Sequence, residues 1–410
     1  MPRVVLVTGK GGVGKTTTAA AAAVSAARVG LRTLVVSTDA AHSLGDALDV
    51  ALATAPTWRD TTEVEPRLHA LAVGPHTAVE ADWQVVRDYL LAVLGAMGVD
   101  PVVADELSSL PGAEEGIALV ALAHQAQSGD WDLVVVDCAP TAETLRLLAL
   151  PEVLGWHLDR LLPAQRRLLT VLRPAASAAS GIPVPGPEVV GVLLAWKELM
   201  GRVRDLLTSP RASVRLVLTP ERVVVAESRR VLTSLSLHGY AVDAVVVNRL
   251  VPDPPEGVAV DPWRSAWWGA QQEGMDRVRE SFVGIPLLRA PHTAGEPIGP
   301  DALADLAAAT RADPSGAAPR DLLDDVEAPR TRVEPDGAQF VLRLPLPLAT
   351  AGQVSMVRRD DDLVIEVADQ RRVVALPSVL RRCVVQNAEV GRGELRVRFE
   401  RDEEVWASGR

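Results

Sequence analysis

Along the first 310 residues, short apolar runs alternate with stretches of helical period. VVLVT (4–8), TLVVS (33–37), LVVVD (133–137), VRLVLT (214–219) and AVVVN (244–248) are continuously apolar, as strands buried on both faces are. Ala/Leu-rich helical patterns such as 15–29 and 221–237 lie between them. Strand–helix alternation predicts an α/β fold: a mostly parallel sheet with helices on both faces. Residues 78–127 and 151–207 carry helical patterns without strong strand runs, and predict a helical insertion or subdomain. Residues 312–336 are rich in Pro, Asp and Gly and predict a linker. Beyond it the period becomes two. Phe340, Leu342, Leu344 and Leu346 alternate with Val341, Arg343 and Pro345, Leu363, Ile365 and Val367 repeat the spacing, and Leu395, Val397 and Phe399 are set against Arg396 and Arg398. They predict a small antiparallel β-sandwich over 337–402. The first domain is expected to span 1–311.

Composition narrows the function classes. The net charge of −11 argues against nucleic-acid binding, which needs clustered positive charge. No apolar run is long enough to cross a bilayer, so the protein is not expected to be integral to the membrane. The N-terminus runs directly into an apolar strand without the pattern of a secretory signal, which predicts a cytoplasmic protein. Two distant cysteines, Cys138 and Cys383, make no zinc or iron–sulfur set, so neither cofactor is expected. The chain has only three lysines, Lys10, Lys15 and Lys197, and two of them fall in one nine-residue loop. A loop that keeps lysine in an arginine-rich chain needs a compact ammonium rather than a planar fork.

That loop is Gly9-Lys10-Gly11-Gly12-Val13-Gly14-Lys15-Thr16, followed by Thr17. It matches G-x-x-x-x-G-K-[ST], with a strand before it and a helix after it. The glycines allow backbone N–H groups to wrap phosphates, and the helix start adds its positive dipole end. Lys15 is expected to neutralise the β- and γ-phosphates of ATP, and the Thr16 hydroxyl to bind Mg²⁺. Asp39 and Asp137 end apolar strands, where carboxylates face the ligand crevice of a parallel sheet. Asp137 is the candidate to hold Mg²⁺ through water, and Asp39 the candidate to orient the attacking water. His42 reads as a local hydrogen-bonding residue rather than a catalyst. Trp263, Trp267 and Trp268 predict a helix packed on the core, with a client groove as the alternative.

These motifs resemble the family of the arsenical pump-driving ATPase (ArsA) and the tail-anchored-protein targeting ATPases of GET type. The loop GKGGVGKTT is of the deviant Walker A kind, STDAAHSLGDAL (37–48) resembles the family's switch I, and VVVDCAPTAETLRLLALP (134–151) its switch II. VVVNRL resembles its adenine-contacting strand end, and PLLRAPHTAGEPIGPDAL its last strand and helix. The resemblance implies a homodimer in which Lys10 reaches the partner's nucleotide, Asn248 reads the base, and hydrophobic protein clients are bound. Helices within 151–207 would either receive clients or pack on the sheet. The sequence departs from the pattern at Ala40, Cys138, Ala142 and Glu143, and it lacks the family's metalloid- and zinc-binding cysteines. The departures in switch II leave the speed of hydrolysis open. The tail segments LRLPLPL, DDLVIEVADQRRVVALPSVLRR and GRGELRVRFE resemble an α-crystallin (small heat-shock protein) domain. An ATPase acting as a chaperone or targeting factor is the leading reading. An arsenite efflux ATPase and a Par/Min-type positioning ATPase are the alternatives; the first needs soft thiolates, the second a basic surface or a membrane-seeking helix.

Overall fold

The computed structural model describes residues 1–38, 43–52, 57–73, 113–139, 144–145, 148–149, 187–253, 261–337, 339–367 and 370–403. The chain is α/β, with mostly parallel strands flanked by helices and a small antiparallel all-β region. It divides into two compact units, Met1–Leu207 with Thr293–Ala309, and Thr208–His292 with Thr310–Arg410.

In the first unit the strands are β1 (Arg3–Thr8), β2 (Thr33–Ser37), β3 (Thr62–Glu65), β4 (Leu68–Ala72) and β5 (Leu133–Asp137). Their order is β3-β4-β2-β5-β1. All neighbours run parallel except β3 with β4. β1, β2 and β5 are buried at every position, which is why they read as unbroken apolar runs. Helices α1 (Lys15–Arg28), α2 (Ser43–Leu48), α3 (Ala113–Ser128) and α4 (Pro187–Leu207) accompany them. α1 buries Ala19, Ala20, Ala23, Val24 and Ala27. The small alanines let the helix lie close over β1, β2 and β5. Within the helical stretches expected at 78–127 and 151–207, the described parts are helical, in α3 and α4; the rest lies outside the described residues.

In the second unit β6 (Ala212–Leu218), β7 (Val242–Leu250) and β8 (Leu287–Pro291) are parallel, and β9 (Arg311–Ala312) closes antiparallel on β8. Helices α5 (Arg222–His238) and α6 (Pro262–Ser281) pack on each other. α6 can approach the end of β6 only because position 274 is glycine, since a Cβ there would collide with the Pro220 carbonyl oxygen. A buried ion pair, Arg215 Nη2 to Asp243 Oδ2 at 2.6 Å, joins β6 and β7. Helix α7 (Gly299–Ala309) belongs to the first unit, where its Asp301 pairs with Arg28 of α1 at 2.7 Å.

The tail forms two antiparallel sheets. One contains β10 (Arg332–Asp336), β11 (Gln339–Pro345), β15 (Cys383–Gly391) and β16 (Glu394–Arg401), ordered β10-β11-β16-β15. The other contains β12 (Val354–Arg359), β13 (Asp362–Val367) and β14 (Gln370–Ala375). The short helix α8 (Ser378–Arg381) links them. The residues singled out by their period of two, among them Leu342, Leu344, Ile365, Val397 and Phe399, form one core, and Leu237 of α5 enters it.

The expected linker, 312–336, is more structured than its composition suggests. Its last five residues are β10, paired with β11. Asp313 is buried and bridges to Arg279 of α6 at 2.8 Å, and the buried Val326 donates its N–H to the Pro210 carbonyl. Charged and turn-forming residues there make local contacts instead of solvating a free tether.

Candidate functional site

The segment after β1 turns through two glycines in the left-handed region, Gly12 (φ 80°) and Gly14 (φ 90°), which side chains with a Cβ rarely adopt. Gly14 is also the residue from which α1 springs, and no side chain caps that helix start. The first turn of α1 contains no acidic residue, so its positive end is not neutralised locally. A Cβ at Gly11 or Gly12 would meet no protein atom within 4 Å, so neither glycine is required by close packing. Gly9 and Val13 are buried and anchor the loop; Gly11 and Gly12 are exposed.

Lys15 is buried, and its Nζ donates to the Lys10 carbonyl at 3.4 Å. The lysine side chain therefore folds back along the loop rather than outward. Lys10 and Thr17 are half-buried. Thr16 Oγ1 lies 3.2 Å from Ser43 Oγ, at the first residue of α2. Thr18 closes the first turn of α1 by donating its N–H and hydroxyl to the Gly14 carbonyl at 3.0 and 2.8 Å.

Asp137 stands at the C-terminal end of β5, fully buried, level with Val7 of β1 on one side and Ser37 of β2 on the other. The register thus places it beside the strand end that carries the glycine loop. Backbone and hydroxyl bonds fix this corner. Thr38 N–H donates to the Asp137 carbonyl at 3.0 Å, Ala139 N–H donates to Thr38 Oγ1 at 3.3 Å, and Cys138 N–H donates to the Val7 carbonyl at 3.1 Å. Thr8 donates to Thr144 Oγ1 at 3.0 Å, and Thr144 to the Ala139 carbonyl at 2.7 Å. Thr8, Thr38, Ser43 and Thr144 were not singled out from the sequence, because isolated hydroxyl residues at strand ends and helix starts carry no pattern of their own. Burial, helped by the charge of Asp137, pushes the Cys138 thiol well above its ordinary pKa, against the opposing effect of Lys15. A thiol held protonated in this way is a poor soft-metal ligand.

Oxygen donors of this kind suit Mg²⁺, which takes few protein ligands and completes its shell with phosphate and water. Thr16 and Asp137 carry such oxygens. Among the described residues, no three His, Cys, Asp or Glu side chains gather as a metal site.

A family model described as an anion-transporting ATPase matches residues 2–311, and one described as an HSP20-like domain found in ArsA matches residues 337–399. The chain belongs to the ArsA ATPase family. Its relatives include Protein Rv2184c of Mycobacterium tuberculosis, 38% identical, with 98% of this chain and 97% of the relative covered. A protein of Prosthecochloris vibrioformis named for an arsenical pump-driving ATPase is 33% identical over 92% of this chain and 90% of its own length. ATPase GET3B of Arabidopsis thaliana is 31% identical over 69% and 72%. The tail is correspondingly the HSP20-like, or α-crystallin-like, region of this ArsA-family chain.

Asp39, Ala40, His42, Ala142 and Glu143 lie outside the described residues. Asn248, in the second unit, is buried at the end of β7, and its Oδ1 accepts the Arg249 N–H at 2.8 Å. Trp263 and Trp267 are exposed, 68% and 57%, with ring centroids 5.4 Å apart, which corrects the expectation that this cluster packs on the core. The buried positions of α6 begin only at Gln271, so its first turns carry these rings beyond the packed part of the helix. Trp268 Nε1 donates to Asp253 Oδ1 at 3.2 Å. Among the described residues no helix is long and apolar enough to cross a membrane.

Proposed function

We propose that this chain is a Mg²⁺-dependent ATPase that works as a homodimer in the cytoplasm and handles hydrophobic or membrane-protein clients as a chaperone or targeting factor. The observation that carries the reading is the loop itself: a left-handed turn at Gly12 and Gly14 feeds the uncapped start of α1 beside the buried Lys15. That arrangement presents backbone N–H groups, a helix dipole and one ammonium to a polyphosphate. Lys15 contacts the β- and γ-phosphates, and the backbone of Gly9 to Thr17 wraps them. Thr16 and Asp137 would hold Mg²⁺, Asp137 through water, and the ion would neutralise the phosphate charge. Asp39 orients the attacking water, Lys10 reaches the partner's nucleotide, and Asn248 reads the base.

The client role rests on the family and on relatives such as ATPase GET3B. The arsenite-pump reading is weaker here because it needs a soft thiolate site, which two unmatched cysteines do not supply. An Asp39→Asn chain should bind ATP, hydrolyse it slowly and hold clients. Captured from cells beside Lys15→Ala, it should enrich proteins with long apolar segments. The same captured set from both variants would contradict a nucleotide-gated client role.

A further inference from the structure

β7 does not end as a regular strand. Val245, Val246 and Val247 pair with Leu287, Leu288 and Arg289 of β8, and pairing resumes at Leu250 opposite Pro291. Three steps along β7 match two along β8, so Asn248 and Arg249 form a bulge with one extra residue. Arg249 sits at φ 58°, in the left-handed region that an arginine enters only when its surroundings impose it. The Asn248 oxygen accepts the Arg249 N–H, which sets the plane of the amide.

Such a bulge keeps its shape only if the chain beyond it is fixed. Two contacts do this. His292 N–H donates to the Leu250 carbonyl at 2.7 Å. One residue further, the buried amide of Gln271 makes a two-bond bridge: Val251 N–H donates to Gln271 Oε1 at 2.7 Å, and Gln271 Nε2 donates to the Val251 carbonyl at 3.0 Å. A single side-chain amide thus stands in for the peptide of a neighbouring strand. Gln271 is itself held in place, because α6 closes on Pro220 at Gly274, one turn further on.

We infer that Gln271 is a positioning residue for base recognition: it holds the far side of the β7 bulge and so aims the Asn248 amide. This rests on the nucleotide reading above. The side chain touches neither base nor phosphate; it acts through Val251 and the bulge. Its loss should therefore weaken the contribution of the base and leave that of the phosphates alone.

The test is calorimetric titration of the full chain with MgADP and, separately, with Mg-tripolyphosphate, which has no base. Gln271→Met keeps the volume and removes both bonds. It should bind MgADP about tenfold more weakly, the worth of roughly one lost well-made hydrogen bond, with tripolyphosphate within about twofold of wild type. Asn248→Ala should show the same split, and the double variant should be no worse than Asn248→Ala alone. Gln271→Glu keeps the acceptor for Val251 N–H and serves the same cycle if the methionine variant does not fold. Unchanged MgADP affinity, equal losses for both ligands, or additive losses in the double variant would overturn the inference. A wild type that binds neither ligand would instead overturn the nucleotide reading, and the inference with it.

Discussion

At the scale of single residues, the lysines of the loop do different work. Lys15 is buried and folded onto the loop, whereas Lys10 is half-buried and contributes its carbonyl to Lys15. Phosphoryl transfer depends mainly on positioning and charge, so one misplaced group costs orders of magnitude. Asp39→Asn should bind ATP yet lose about 10²-fold or more in turnover, as expected of a water-positioning group. Lys10→Ala should also lose turnover, and mixing the two variants should restore part of it if Lys10 acts across a dimer. Phosphate release from the mixture no greater than the mean of the two variants would remove the support for action in trans. The lysine scarcity is what singled out this pair in the sequence. The hydroxyls of Thr38, Ser43 and Thr144 were not legible, because their value comes from contacts between segments far apart in sequence that only the fold brings together.

At the scale of elements, readability followed burial. β1, β2, β5 and β6 are buried at every position and β7 at most, so long apolar runs dominate their sequences, broken in β6 and β7 by the paired Arg215 and Asp243. β3 (TEVE) and β12 (VSMVRR) present polar residues at open positions and were missed, while β14 (QRRVVA) lies in the tail segment that carried the α-crystallin resemblance. β15 was missed for the same reason, with most of its residues exposed or half-buried. The segment 312–336 misled through its composition, since Asp313 is a buried partner of Arg279 rather than a solvated charge. Burial alone would raise the pKa of Asp313, but the bonds from Arg279 and the Ser315 N–H hold it below the ordinary carboxylate value. A depressed carboxylate contributes stability above its unfolded pKa, near 3.9, and that contribution is lost as pH falls through the lower folded value. Asp313→Asn should therefore lower stability at pH 7 by about 1.5–3 kcal/mol, the worth of hydrogen bonds to a charged group. Urea titrations should show the gap to wild type closing below about pH 4. A gap that stays constant with pH would mean the charge of Asp313 contributes nothing.

At the scale of the whole molecule, the all-β tail is tied to the second unit. Leu237 of α5 shares its core, Thr233 donates to the Pro347 carbonyl at 2.6 Å, and Arg372 donates to the Leu237 carbonyl. Period-two alternation exposed the sandwich in the sequence, but nothing in the α5 pattern marked Leu237 as belonging to it. Deleting residues 330–410 should uncover Leu237, worth about 1.5–3 kcal/mol on its own, and lower the melting temperature. The stabilisation by Mg-ATP should persist, because the glycine loop, Asn248 and Gln271 all precede the deleted residues. An unchanged melting temperature would show that the tail is independent of α5. The claim on which the whole account stands is that the loop from Gly9 to Thr17 binds and hydrolyses ATP. Its most direct test is phosphate release from Mg-ATP by the purified full chain beside Lys15→Ala, with melting followed in the same samples. Wild type should release phosphate and gain roughly 2.7 kcal/mol of stability at about 100 times the Kd, while Lys15→Ala does neither. Equal phosphate release and equal stabilisation in the two proteins would contradict the account.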